Sequence, residues 1–289
     1  MFTIENNLLK VSINAKGAEL QSIFHKTHQL EYMWSGDPAF WAKKSPILFP
    51  IVGTLKNDEY FYNNRYYKLG RHGFARDMEF EPKNQTANSI SFLLISNETT
   101  LQHFPFQFEL IIKYSIEKDN LTVMYILKNI SEGDMYFSIG AHPAFKVPLV
   151  DGTEYADHYL QFNKDETLPR WPISPDGLIE KTPEPFLQDQ NVLPLRKELF
   201  YKDALVFKHP VSSTVSLLSN KTDHGLHFNF SGFPYLGIWA AKNADFVCIE
   251  PWCGIADSVD SDQQITNKEG IIKLNAGEIF ERKWIASFY

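Results

Sequence analysis

The sequence predicts an all-β fold, a large antiparallel β-sandwich, for this chain of 289 residues. Apolar side chains alternate with a period of two along many segments, which is typical of strands with one buried face. Phe occurs 23 times and Tyr 13 times, and both residue types favour strands. No repeat, low-complexity tract or flexible linker divides the chain. We therefore expect residues 1–289 to form a single domain.

The clearest predicted element is a long hairpin. Alternate residues of 106–116 place apolar side chains on one face, and residues 121–127 repeat the pattern after a polar turn. A second hairpin is predicted at 60–67, where Asn63 and Asn64 tolerate the positive φ of a tight turn. Further strands are expected at 8–13, 18–24, 89–95, 135–139, 204–207, 215–218, 226–230, 235–240, 246–249 and 279–287.

Helical signals are short and confined to two segments, residues 38–43 and 98–104. Residues 148–194 are rich in Pro, Asp and Gly. That composition predicts a long excursion with little regular structure, and such loops often shape binding sites.

Composition and charge exclude several classes of protein. The net charge of −7 argues against nucleic acid or an anionic membrane surface as a partner. The N-terminus lacks the pattern of a signal peptide, and no apolar run is long enough to cross a bilayer. Cys248 and Cys253 are too few for a disulfide framework. We expect a cytoplasmic protein with both thiols reduced and Cys248 in the core.

The segment 247–254 carries the strongest functional signal. It is typical of an apolar strand that ends on Glu250, followed by proline and Trp252. A carboxylate lodged beside a large aromatic is desolvated, and desolvation raises its pKa toward the range of a general base. Glu250 is therefore the predicted base, and Trp252 a predicted platform for a sugar ring.

A turn-like segment carries Arg71, His72 and Arg76. One interpretation is structural, with the arginines forming salt bridges to Asp77 or Glu79. The other is a loop for a polar ligand, because arginine offers paired donors to hydroxyls or phosphate and His72 adds another donor.

A second histidine, His142, follows a predicted strand that ends at Gly140 and begins a turn containing proline. Small neighbours leave space around its ring. The ordinary histidine pKa near 6.5 suits proton donation at neutral pH, so His142 is a candidate acid.

Three other patterns lack the residues or spacing that metal binding or nucleophilic catalysis requires. Asp223 and His227 lack a third metal ligand, and the acidic stretch 257–262 lacks the glycine and terminal glutamate of a calcium loop. Ser138 is not in a nucleophile-elbow motif. We therefore predict neither a metal nor a cofactor.

With these motifs the chain resembles the aldose 1-epimerase (galactose mutarotase) superfamily, and within it the LacX-like branch. The resemblance covers essentially the whole chain, and four segments that carry it occur in the expected order: 46–53, 71–76, 140–145 and 250–254.

The resemblance implies a β-supersandwich and sugar mutarotation without a cofactor. It places the general acid on His142 and the general base on Glu250, with His72 and Arg76 contacting the sugar. One position departs from the pattern, because Thr54 stands where this branch often has a substrate-binding arginine. Arg71 is a candidate to compensate.

The predicted function is therefore an aldose 1-epimerase that acts on a hexose or hexose phosphate, as a monomer or homodimer. One alternative is a non-catalytic carbohydrate-binding or sugar-sensing protein on the same scaffold. Another is an enzyme that cleaves glycosides, which usually needs two carboxylates flanking the bond. Asp257 is the only obvious second carboxylate near Glu250 in the sequence.

Overall fold

A computed structural model describes all residues, Met1–Tyr289, and antiparallel strands dominate it. In chain order the strands are β1 Phe2–Glu5, β2 Leu9–Ile13, β3 Leu20–His25, β4 Leu30–Glu31, β5 Glu59–Tyr62, β6 Arg65–Lys68, β7 Glu81–Lys83, β8 Ser89–Ile95, β9 Phe108–Glu117, β10 Asn120–Asn129, β11 Met135–Phe137, β12 Ile139–Gly140, β13 Ala144–Lys146, β14 His158–Glu166, β15 Gln190–Pro194, β16 Leu205–Lys208, β17 Thr214–Ser219, β18 Leu226–Asn229, β19 Tyr235–Trp239, β20 Phe246–Cys253, β21 Ile272–Leu274 and β22 Ile279–Phe288. The one α-helix, α1, is Glu98–His103, and short 3₁₀ turns lie at Lys56–Asp58, Ala75–Asp77, Tyr155–Asp157, Lys197–Phe200 and Ile265–Asn267.

Two large sheets form the body of the molecule. The nine-stranded sheet has the order β15-β14-β17-β18-β22-β10-β9-β8-β7, and the five-stranded sheet has the order β12-β20-β19-β16 with β13 also paired to β20. A continuous apolar core joins residues of both sheets; for example, Phe145 of β13 packs on Phe228 of β18 with ring centroids 5.9 Å apart. The predicted antiparallel β-sandwich is confirmed. The expectation of one domain over 1–289 stays a prediction.

The long hairpin forms as its alternation predicts. The alternate residues of β10 are fully buried: Leu121, Val123, Tyr125 and Leu127. They stand opposite the buried residues of β9 in an antiparallel register that pairs Leu127 with Leu110. Each such aliphatic side chain contributes about 1.5–3 kcal/mol by leaving water. The register is therefore fixed, because a slip of one residue would expose the whole apolar face.

Two predictions of local structure are wrong. Residues 38–43 form a single turn and not a helix, since the N–H groups of Phe40 and Trp41 both donate to the carbonyl of Asp37 and the chain then departs. Residues 148–194 contain β14 and β15, whose apolar residues, Leu160 and Leu193 among them, pair at the edge of the nine-stranded sheet. Composition alone hid these two strands.

The prediction that the strand ends on Glu250 is wrong, because β20 continues through Pro251 to Cys253. Proline lacks the N–H group that a central strand needs. Pro251, however, faces the break between β12 and β13. Its carbonyl accepts a hydrogen bond from Ala141 N–H at 3.0 Å, and the missing donor leaves no neighbouring strand unpaired.

Candidate active site

The strand register places His142 directly opposite Glu250. On one side of the break Ile139 pairs with Cys253, and on the other Ala144 pairs with Cys248, in a single uninterrupted antiparallel register. His142 Nε2 accordingly lies 3.2 Å from Glu250 Oε2. The sheet itself therefore fixes the contact between the predicted acid and the predicted base.

Two tryptophans enclose the His142 ring. Trp41 packs on it at a tilt, with centroids 4.9 Å apart and an interplanar angle of 31°, and Trp239 of β19 contacts it edge-on at 5.5 Å. Burial in this apolar setting lowers the pKa of His142 to about 3. The imidazole is therefore neutral at neutral pH, whereas the prediction from the sequence assumed the ordinary histidine pKa near 6.5.

Glu250 is 1% exposed, and burial raises its pKa well above the ordinary value. Burial disfavours the charged form of both groups, and a pair that shares one proton is neutral overall whichever partner holds it. Such a pair can take a proton at one atom and give one at the other without a net change of charge.

Trp252 of β20 occupies a slot that two glycines create. A Cβ on Gly140 of β12 would lie 2.7 Å from the Trp252 ring, and a Cβ on Gly237 of β19 would lie 2.4 Å from it. Both glycines pair with β20 across the sheet: Gly140 lies opposite Trp252, and Gly237 lies opposite Glu250. Only glycine on both flanking strands lets the indole lie against the sheet.

His72 is held by a reciprocal backbone contact with Gly53. Its N–H donates to the Gly53 carbonyl at 2.8 Å, and its Nδ1 accepts from Gly53 N–H at 3.1 Å. The shorter contact at Nδ1 places the proton of the neutral ring on Nε2, an atom that Arg71 Nε also approaches at 3.4 Å. His72 also has a φ of +68°, which is rare for a residue with a Cβ and is often found at functional sites. Burial, chiefly, lowers its pKa well below the ordinary value.

The two arginines of the same segment occupy different positions. Arg71 lies at the mouth, where its Nη2 is 3.5 Å from Asp203. Arg76 donates from Nη2 to the carbonyl of Arg71 at 2.9 Å and lies 3.6 Å from Asp77, so part of its role is structural. Asp203 was not predicted as a site residue, because its segment carries no local motif.

These side chains surround one cavity of about 300 Å³. All six residues predicted from the sequence line it: Arg71, His72, Arg76, His142, Glu250 and Trp252. Sequence reasoning missed Trp41, Trp239 and Asp203, which come from other loops and strands and also line it. A search for unassigned tryptophans would have found the first two.

The 148–194 excursion closes one side of this cavity through Ile173, Gly177 and Ile179. Thr54 does not line the cavity. A Cβ on Gly177 would lie only 2.7 Å from the Thr54 hydroxyl, so the excursion sits directly against that position. Thr54 instead lines a separate surface pocket with Ser174 and Asp176 of the excursion, so residue 54 offers no donor to the cavity.

Asp257 lies behind the cavity wall and not in it. Its carboxylate accepts from Lys268 Nζ at 2.7 Å and from Lys56 N–H at 3.0 Å, and its backbone bonds to Thr54 and Ile179. Asp257 and Lys268 are both buried. This ion pair joins segments that form the wall, and Asp257 cannot flank a glycosidic bond together with Glu250.

Comparison with known proteins gives the family of the chain. The family model described as Aldose 1-epimerase matches residues 1–283. The chain belongs to the aldose 1-epimerase family. The chromosomal LacX protein of Lactococcus lactis subsp. lactis is 35% identical over 280 residues, which cover 94% of this chain and 93% of that relative.

Solved structures give the same assignment for the fold. A galactose mutarotase related enzyme from Lactobacillus acidophilus superposes with a TM-score of 0.93 at 36% identity, covering 100% of this chain and 97% of that one. A galactose mutarotase-like protein from Lactobacillus casei gives 0.94 at 32% identity, with full coverage of both chains. The fold is thus the galactose mutarotase-like sandwich. None of the helices in this chain is long and apolar enough to cross a membrane.

Proposed function

We propose that this protein is a mutarotase that interconverts the α and β anomers of a hexose or a hexose phosphate. The observation that carries the proposal is the buried pair of His142 Nε2 and Glu250 Oε2, 3.2 Å apart at the wall of a sugar-sized cavity. Family membership supports a mutarotase-like activity in general. The roles of individual residues are our inference from the geometry.

The chemistry requires two proton transfers at neighbouring atoms. Opening the pyranose ring removes a proton from the hydroxyl on C1 and adds one to the ring oxygen. Both oxygens are bonded to C1, so the two protein atoms that serve them must also be close neighbours. Glu250 takes the first proton and His142 supplies the second; rotation about C1–C2 and closure with the roles reversed gives the other anomer.

The one-proton state of the pair suits this exchange. The shared proton first passes from Glu250 Oε2 to His142 Nε2 across their 3.2 Å contact, which gives a carboxylate and an imidazolium. Ring opening converts these into a carboxylic acid and a neutral imidazole, so the number of protons on the pair plus the sugar is constant. Burial favours the neutral combination, which is the form that faces the open-chain sugar. Two well-placed proton-transfer groups contribute roughly 10²–10⁴-fold each.

The remaining cavity residues orient the ring. His72 Nε2, Arg76 and Arg71 present donors to sugar oxygens, while Trp252 offers an apolar face to the C–H groups of the sugar. Asp203, next to Arg71, offers an acceptor in addition to the carboxylate of Glu250. Arg71 at the mouth of the cavity replaces the substrate-binding arginine that this branch often has at position 54, where this chain has threonine.

The test is polarimetry with freshly dissolved α-D-glucose, α-D-galactose and their 6-phosphates. We expect wild type to accelerate the decay of rotation on at least one sugar and Glu250→Gln to abolish the acceleration. The matched control is Glu281→Gln, which removes an exposed carboxylate of β22 and should retain full activity. An unchanged rate in Glu250→Gln would overturn the assignment of the base.

A carbohydrate-binding protein is the second candidate, and the departure at Thr54 favours it. Such a protein would bind one of the four sugars in calorimetry without accelerating mutarotation of any of them. Intact His142 and Glu250 favour the enzyme, because a binding protein needs no acid–base pair. Incubation with a disaccharide followed by product analysis tests the glycoside-cleaving alternative, for which we expect no product.

A further inference from the structure

A third side chain lies against the proposed acid–base pair. Cys248 precedes Glu250 by two residues on β20, so the two side chains project from the same face of the strand. The ligand atoms of His142, Cys248 and Glu250 all lie within 4.8 Å of one another, and all three residues are buried. The proposed mechanism uses only two of them and leaves the thiol without a function.

Nitrogen, sulfur and oxygen together form a donor set that zinc accepts. Zinc binds His at about 2.0–2.1 Å, Cys at about 2.3 Å and carboxylates at about 2.0–2.2 Å, so donors on one tetrahedral ion lie roughly 3.3–3.8 Å apart. The triad therefore needs side-chain shifts of only about 1 Å to share an ion. His142 Nδ1 has no hydrogen-bond partner, so the ring is free to carry its proton there and offer the Nε2 lone pair.

The charge balance also suits a buried ion. A divalent cation with one thiolate and one carboxylate gives a site of net charge zero, which avoids the penalty of an unpaired buried charge. His142 and Glu250 line the cavity and give the ion a route of entry, whereas Cys248 lies behind them. The fourth position of a tetrahedral ion would face the cavity and take water.

We propose that His142, Cys248 and Glu250 form a binding site for a thiophilic divalent cation such as Zn²⁺, and that its occupation competes with sugar. Binding forms one Zn–N, one Zn–S and one Zn–O bond. The thiol proton of Cys248 and the single proton shared by His142 and Glu250 leave to solvent, and nothing is oxidised or reduced. A bound ion ties up both groups of the pair, so mutarotation stops while the ion remains.

The chain contains its own control for the cysteine. Cys253 lies on the same strand, is 3% exposed, and projects from the opposite face to Cys248. Cys248→Ser and Cys253→Ser therefore remove one buried thiol each from one strand, and only the first removes a proposed ligand. Circular dichroism and thermal melts establish that each variant is folded, and Cys248→Ala serves if the serine variant is not.

The first experiment uses metal alone. Wild type and Cys253→Ser should bind one Zn²⁺ per chain in equilibrium dialysis, and their Co²⁺ complexes should show the near-ultraviolet charge-transfer band of a cobalt–thiolate bond. Cys248→Ser should lose that band and bind Zn²⁺ at least tenfold more weakly. The proposal is wrong if wild type shows no thiolate band, if Cys248→Ser binds Zn²⁺ as tightly as wild type, or if Cys253→Ser loses the band instead.

The second experiment tests competition with any sugar that wild type turns over. We expect added Zn²⁺ to raise the apparent KM with kcat unchanged in wild type and in Cys253→Ser, and to have at least tenfold less effect in Cys248→Ser. A fall in kcat at constant KM would contradict competition at the cavity. Because metal binding is measured without sugar, failure of the mutarotase proposal and failure of the metal proposal remain distinguishable.

Discussion

The nine-stranded and five-stranded sheets bury their strands in different ways. Along β10 buried residues alternate with partly exposed ones, whereas all eight residues of β20 are buried. The second face of β10 is open to solvent, but β20 has the core on one face and the cavity on the other. The first sheet therefore supplies stability through apolar alternation, and the second buries polar groups whose chemistry depends on that burial.

The largest effect expected from this difference is catalytic. His142→Asn and Glu250→Gln should each lower turnover by roughly 10²–10⁴-fold, because each removes one of two coupled proton transfers. The turnover of the double variant should be only slightly lower than that of the less active single variant, since the two groups act as one unit. Polarimetry on the best substrate measures all three rates.

Matched controls come from the nine-stranded sheet and its surface. Glu281→Gln and the exposed His227→Asn make the same chemical changes outside the cavity and should leave turnover within about twofold of wild type. If the double variant lost the product of the two single effects, His142 and Glu250 would be acting independently and the one-proton pair would be wrong.

The second effect concerns the ion pair behind the cavity wall. Asp257→Asn leaves Lys268 buried without a counter-charge, which typically costs about 3–5 kcal/mol of unfolding free energy. Urea denaturation should show that loss. Lys268→Met added to Asp257→Asn should restore much of it, because no uncompensated charge then remains; a double variant as unstable as the single would show that the hydrogen bonds of Asp257, and not its charge, hold the wall.

Sequence patterns predicted different features of the two sheets. Alternation located the long hairpin of β9 and β10, and short motifs located the six predicted cavity residues. Trp41, Trp239 and Asp203 were missed because they approach the cavity from segments far apart in the chain, and only the sheet order brings them together. The predicted end of β20 at Glu250 is wrong because Pro251 is tolerated only opposite the break between β12 and β13. No local sequence pattern reveals that break.

The third effect separates stability from activity. Leu127→Ala, in the core face of β10, should cost about 2–4 kcal/mol of unfolding free energy and leave kcat/KM per folded molecule unchanged. Gly237→Ala should lower both stability and kcat/KM. Its Cβ would lie 2.4 Å from the Trp252 ring, so the indole must move and kcat/KM should fall about tenfold at a stability cost of roughly 1–3 kcal/mol.

The control for Gly237→Ala is Gly133→Ala. A Cβ on Gly133 meets nothing within 4 Å, so this variant should match wild type in stability and rate. Urea denaturation and polarimetry on the same samples give both quantities. If Gly237→Ala kept full kcat/KM, Trp252 would not be the sugar platform.

The smallest effect follows from the pKa shifts themselves. Burial raises the pKa of Glu250 in the folded state above its ordinary value of 4.5, so its contribution to stability is present below pH 4.5 and is lost as pH rises through the folded pKa. Glu250→Gln cannot ionise and escapes that loss. We expect the variant to be more stable than wild type at neutral pH, where the carboxyl of the unfolded chain is ionised and burial in the folded state opposes that ionisation.

His142 should show the opposite pH dependence, because burial lowers its pKa from 6.5 to about 3. Its contribution to stability is present above pH 6.5 and is lost as pH falls toward 3, where the unfolded imidazole takes a proton that the folded one refuses. Thermal melts across pH should therefore show Glu250→Gln flattening the alkaline limb of the wild-type profile and His142→Asn flattening the acid limb. A Glu250→Gln variant that is less stable than wild type at every pH would mean that the carboxyl is stabilised by its neighbours and not strained by burial, and the five-stranded sheet would then hold its site without a cost in stability.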